Sequence, residues 1–84
     1  MVKIVYFAWV RERIGKAEET VELPAGVATI ADLVAWLRTR GPEYTNAFAK
    51  PEVVRAAIDQ TYAKPAASLA GAREIAFFPP VTGG

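Results

Sequence analysis

The chain has 84 residues, 52% of them apolar and 23% charged, and that composition describes one small globular domain and excludes disorder. Lys and Arg number 10 against 9 Asp and Glu, so a net charge of +1 leaves no bulk field to hold nucleic acid or an anionic membrane. The chain has no Cys and no His, which excludes a disulfide framework, a Cys-type zinc site, a cysteine nucleophile and any Ser–His or Cys–His dyad.

Residues 2–8 read as a strand, rich in β-branched and aromatic side chains. Lys3 marks the outward face, which Val5 and Phe7 share, while Val2, Ile4 and Tyr6 face the core. Residues 9–14 predict a short helix closed by Gly15 in the left-handed cap position. A second strand is expected over 17–23, with Val21 and Leu23 inward and Glu22 outward, before the turn Pro24-Ala25-Gly26. The clearest helix spans 30–40. Thr29 and Asp32 stand at capping-box spacing, and Ile30, Leu33, Val34 and Leu37 form one apolar stripe. Gly41-Pro42 stops it, and Tyr44 with Phe48 predicts a short helical piece before Pro51.

Residues 53–58 predict another strand, turning at Asp59-Gln60 and returning through Thr61-Tyr62-Ala63. Residues 64–72 are irregular, and 73–78 form the last strand. Two strands, one main helix and a returning C-terminal strand suit an α+β β-grasp, a mixed sheet with one main helix packed across one face. The domain is expected over 1–84, with 79–84 as an extended, flexible C-terminal tail.

Alternation carries a further expectation. Glu74 marks Ala76 and Phe78 as outward, and Ile75 and Phe77 as inward. A turn at Asp59-Gln60 pairs Ile58 with Thr61 and so places Tyr62 outward with Ala57. Phe7, Tyr62 and Phe78 then form an apolar patch beside the base of the tail, the mark of an interface. The nine carboxylates are scattered and suggest no metal site. The adjacent pair Glu18-Glu19 reads as a solvated strand entry. Arg11, Arg13 and Lys16 form a small basic cluster that suits either an exposed helix face or contact with a partner.

The closing run is Phe77-Phe78-Pro79-Pro80-Val81-Thr82-Gly83-Gly84. Pro79 and Pro80 hold an extended backbone, and the last six residues span at most about 20 Å. Gly83 and Gly84 present no side chain, so a narrow channel admits them up to a reactive centre. A chain without Cys or His that ends in a stiff arm with a bare tip suggests chemistry on the α-carboxylate of Gly84. A carboxylate is a poor acyl electrophile and needs activation, most simply by ATP to a mixed anhydride. Nothing in this chain resembles an ATP site, so the activating enzyme is expected to be a separate protein.

Phe7-Ala8, Val10-Arg11-Glu12, Ala56-Ala57, Gln60 and the closing run from Ile75 to Gly84 together resemble the small subunits of molybdopterin synthase, the MoaD family. The resemblance covers essentially the whole chain, and Phe-Phe-Pro-Pro-Val-Thr-Gly-Gly is its most specific part. Asp59 departs from it, since Asn is commoner before the Gln.

The resemblance implies a ubiquitin-like fold and a Gly84 that an E1-like enzyme adenylates at the cost of ATP. It implies conversion to a thiocarboxylate with sulfur from a donor protein, and sulfur transfer to cyclic pyranopterin monophosphate. The tail, Pro79, Pro80, Val81, Thr82, Gly83 and Gly84, would enter the large subunit within a heterotetramer. Phe7, Arg11, Tyr62 and Phe78 would bind that partner, and the catalytic side chains would belong to it. This chain is expected to bind no cofactor or metal and to have no active site of its own.

Three other readings stay open: a sulfur carrier for thiamine or another pathway, a ubiquitin-like protein modifier, and a plain β-grasp interaction domain. No apolar run reaches the roughly 18 residues of a membrane span, and Met1–Val5 is too short and strand-like for a signal peptide, so a cytoplasmic location is expected.

Overall fold

The computed structural model describes residues 1–80; Val81, Thr82, Gly83 and Gly84, and with them most of the expected tail, lie outside the described residues. Strand β1, Val2–Tyr6, alternates as its sequence requires, with Val2, Ile4 and Tyr6 buried. It ends at Tyr6 rather than Ala8, because Ala8 turns into the left-handed region at φ 52°. Helix α1, Ala8–Ile14, starts in that turn, and Gly15 closes it at φ 89° by donating its N–H to the Arg11 carbonyl. Strand β2, Glu18–Val21, runs antiparallel to β1. It stops short of Leu23 because Val21 already pairs with Val2, the first residue of β1.

Helix α2, Ile30–Leu37, carries the full capping box. The Asp32 N–H donates to Thr29 Oγ1 at 3.1 Å, and the Thr29 N–H donates to Asp32 Oδ2 at 3.2 Å. Two more N–H groups of its first turn, on Ile30 and Ala31, donate to the carbonyls of Ala67 and Pro65. The irregular stretch 64–72 thus satisfies backbone donors that a helix leaves open. The helix ends at Leu37 rather than Arg40, because Thr39 claims the Trp36 carbonyl with both its N–H and its hydroxyl. Helix α3, Pro42–Ala47, buries Tyr44, and Phe48 follows it fully buried.

A 3₁₀ turn over Pro51–Val53 replaces the expected start of the next strand, so β3 is Arg55–Ile58. The physical stop lies in its neighbour. Arg55 pairs with Phe78, the last residue of β5, and Pro79 has no N–H to extend the ladder. Strand β4, Thr61–Ala63, returns through Asp59 and Gln60, whose φ values of 48° and 70° are those of a tight primed hairpin turn. The departure of Asp59 from the family pattern does no damage. Its Oδ1 accepts the N–H groups of Arg73 and Glu74 at 3.0 and 2.9 Å, pinning the hairpin to the start of β5, Glu74–Phe78.

The sheet order is β2-β1-β5-β3-β4, with β1 and β5 parallel and the other pairs antiparallel. This is the expected α+β arrangement. The inner face carries Ile4, Tyr6, Ile75, Phe77 and Ala56 into one core with Leu33 and Leu37 of α2. Phe77 sits at its centre, stacked on Tyr6 at 6.3 Å and edge-on to Phe48 at 5.1 Å between ring centroids. Truncating Phe77 leaves a cavity that these rings cannot close. Phe77→Ala is expected to cost about 3–5 kcal/mol in chemical denaturation, a large share of the stability of so small a domain.

Candidate functional site

The outer face of the sheet is built by the same alternation. Its positions are Lys3 and Val5 on β1, Glu74, Ala76 and Phe78 on β5, Arg55 and Ala57 on β3, and Tyr62 on β4, and none is buried. The register lines up Val5, Ala76, Ala57 and Tyr62 in one row across the sheet. The next row toward the tail holds Phe78 opposite Arg55. Phe7 extends β1 at that level, where its N–H donates to the Phe77 carbonyl at 3.0 Å.

The structure brings Tyr62, Phe78 and Pro80 together. Their side chains and those of Arg55, Ala57 and Gln60 line an open groove of about 510 Å³ where β5 leaves the sheet. The Tyr62 and Phe78 rings pack with centroids 6.4 Å apart. Tyr62 is 64% exposed, whereas Phe78 is half-buried beneath it. Pro79, also half-buried, carries the chain from Phe78 to the groove wall. Phe7 is 48% exposed but does not line the groove. Arg11 stands exposed on α1, one turn past Phe7, its N–H donating to the Phe7 carbonyl. The four remaining site residues, Val81, Thr82, Gly83 and Gly84, lie outside the described residues.

Sequence reasoning did not single out Arg55 as a site residue. Its signal was legible, since it shares the parity of Ala57 on the outward face of β3. The rest of the basic cluster has internal partners. Arg13 lies over the Trp9 ring at 4.4 Å, and Lys16 reaches Glu19 at 3.5 Å. At the far end of the outer face, Lys3 bridges Glu18 at 3.4 Å and Glu74 at 3.9 Å. The two Lys3 pairs are partly solvated and stabilise little.

Glu19 corrects the reading of Glu18-Glu19 as a solvated pair. It takes an inward position opposite Ile4, and its side chain is only 12% exposed. Its Oε2 accepts the hydroxyls of Tyr6 at 2.7 Å and Tyr44 at 2.6 Å, and its Oε1 accepts Arg40 Nη1 at 2.9 Å. Burial opposes its ionisation, but the bonds from Tyr44, Tyr6 and Arg40 outweigh burial and hold its carboxyl below the usual range. Burial, reinforced by the same carboxylate, pushes the hydroxyls of Tyr6 and Tyr44 up. The cluster ties β1, β2 and the α2–α3 link together on the core side of the sheet, away from the groove.

The groove therefore offers aromatic faces, a proline wall, one guanidinium and one amide. Without His or Cys anywhere in the chain, the groove has no means to activate a nucleophile through either.

The ThiS family profile matches residues 4–84. The chain belongs to the ThiS family. Proteins similar to it include the molybdopterin synthase sulfur carrier subunits of Escherichia coli K12, 33% identical, and Haemophilus influenzae Rd, 34% identical. Both alignments run over 84 residues and cover 100% of each chain. The resemblance first carried by the closing run thus holds end to end. Among solved structures, SAMP1 from Haloferax volcanii superposes with a TM-score of 0.71 at 23% identity, over 99% of this chain and 98% of that one. A molybdopterin converting factor subunit 1 homologue from Pyrococcus furiosus gives 0.71 at 27%, over 95% and 97%. The fold is a ubiquitin-like β-grasp. No helix among the described residues is long and apolar enough to cross a membrane.

Two measurements check this division of faces. Phe78→Ala is expected to lower folding stability by no more than about 1 kcal/mol, far less than Phe77→Ala, because Phe78 keeps one side in solvent. The Glu19 contribution is expected to be present in full above its ordinary value of 4.5. It is lost as pH falls through the depressed folded value. Acid titration of Glu19→Gln should show that sensitivity gone, with a stability loss at neutral pH of about 1–3 kcal/mol.

Proposed function

We propose that this chain is the sulfur-carrier subunit of a molybdopterin synthase and that its sulfur travels on the C-terminal acyl group of Gly84. The end-to-end similarity to two sulfur carrier subunits carries this reading, and it includes the closing Phe77-Phe78-Pro79-Pro80-Val81-Thr82-Gly83-Gly84. The absence of Cys and His supports it, because the chain then has no side chain suited to hold transferable sulfur.

The chemistry follows from the carboxylate. An E1-like enzyme directs the Gly84 carboxylate onto the α-phosphate of ATP, forming the acyl adenylate and releasing pyrophosphate. A sulfide-level nucleophile from a sulfur donor then attacks the acyl carbon. AMP leaves with the bonding electrons, and a thiocarboxylate remains. The paired glycines allow this end to enter the active site of the large subunit, where its sulfur passes to cyclic pyranopterin monophosphate while water cleaves the acyl carbon–sulfur bond and restores the Gly84 carboxylate. Phe78 and Tyr62, with Phe7 and Arg11 at the rim, dock the domain so that Pro79 and Pro80 aim the tail inward. The large subunit supplies the catalytic side chains, in the heterotetramer expected for this class of carrier.

The family match also favours a second reading, sulfur carriage to thiamine or another pathway. The tail chemistry is the same and the acceptor differs.

Incubation with the E1-like enzyme, ATP and a sulfur source is expected to raise the intact mass by the exchange of one oxygen for one sulfur. The loaded protein should then form molybdopterin with the large subunit and the pyranopterin precursor. A mass that does not change sinks the carrier reading, and loading without molybdopterin formation turns it toward the second pathway. Deleting Gly84 is expected to abolish loading while the unfolding midpoint stays unchanged. Phe78→Ala is expected to weaken binding to the large subunit by about 30-fold.

A further inference from the structure

We propose that the partner surface covering Tyr62 and Phe78 carries a carboxylate that seats against the Arg55 guanidinium. The inference rests on the docking reading of this face and adds the chemistry that the partner must bring.

Arg55 stands directly opposite Phe78 in the β3–β5 register, so its charge sits at the base of the tail. It lines the same groove as Ala57, Tyr62 and Pro80. A guanidinium has five N–H donors, and Arg55 makes a side-chain hydrogen bond through Nη1, to the Glu52 carbonyl at 2.6 Å. Among the described residues it forms no ion pair. Lys3, the other cation on the outward strand positions, sits between Glu18 and Glu74. The face thus carries a cation held by two carboxylates at one end and an uncompensated cation beside its aromatic residues at the other.

While the face is open, water serves the free N–H groups. A partner that buries Tyr62 and Phe78 also strips water from Arg55. An ion buried without its counter-charge opposes binding strongly. A backbone carbonyl satisfies a donor but leaves the charge. A carboxylate takes two parallel N–H groups of the fork and neutralises the charge at the same time. A purely apolar docking surface would therefore be rejected, and Arg55 selects among partners that could otherwise cover the patch.

The test is titration of the intact chain, wild type and variants, with the large subunit at low and high ionic strength. Thermal unfolding of each variant confirms the fold. Arg55→Met is expected to bind at least about tenfold more weakly at low salt, and Arg55→Glu more weakly still. The gap between wild type and Arg55→Met should narrow as salt is raised. Arg55→Lys, which keeps the charge and loses the fork, should fall between wild type and Arg55→Met and retain the salt dependence. If Phe78→Ala weakens binding but Arg55→Met keeps wild-type affinity and salt dependence, the carboxylate is overturned and the docking face stands. If neither substitution weakens binding, the docking face and the carboxylate fall together.

Discussion

The parallel pairing of β1 with β5 is the constraint on which the rest depends. It joins residues 2–6 to residues 74–78, nearly the full length of the chain apart, and no hairpin can make such a contact. Closing that loop costs entropy before any contact rewards it. The reward is concentrated on one face, where Ile4, Tyr6, Ile75 and Phe77 are all close to fully buried. Once this register is set, β2 adds to one side, and β3 with β4 adds to the other.

The same register decides what the domain presents to a partner. With Phe77 locked between Tyr6 and Phe48, Phe78 has to face outward, and Arg55 and Tyr62 come to lie around it. Pro79 then ends the ladder, so the chain leaves the sheet beside the groove it helps to line. Two adjacent phenylalanines thus do different work through parity alone. One is buried in the core and the other is left on the outer face, lining the groove.

Polar groups follow the same division. On the core side, Glu19 holds two tyrosine hydroxyls and Arg40, so an inward-pointing charge on the edge strand β2 is fully engaged. An inward charge on an edge also discourages pairing with a further strand. On the outer face, Lys3, Glu18 and Glu74 remain solvated. The chemistry is assigned to neither face. In the proposed function it sits on an acyl group at the end of the chain, and the domain serves as the handle that delivers it.

Local pattern alone determined much of this protein. Lys3 and Glu74 marked the strand faces, Thr29 and Asp32 the start of α2, Gly15 the end of α1, and Asp59-Gln60 the hairpin. The closing Gly-Gly run marked the family. These signals are short-range, and nearest-neighbour stereochemistry enforces them. Where an element ends depends on partners that a linear reading cannot locate. The strand over 17–23 stopped at Val21 because β1 starts at Val2, and β3 began at Arg55 because Pro79 ends β5. The Glu19 cluster was hidden for the same reason. Its ligands Tyr6, Arg40 and Tyr44 are distant in sequence, and only the packing of α3 and the α2–α3 link over β1 and β2 brings them to one carboxylate. Arg55 gained its place at the site only when the antiparallel β3–β5 register set it opposite Phe78. Side-chain direction is written in the sequence with period two, but which strands lie side by side is decided only by long-range burial.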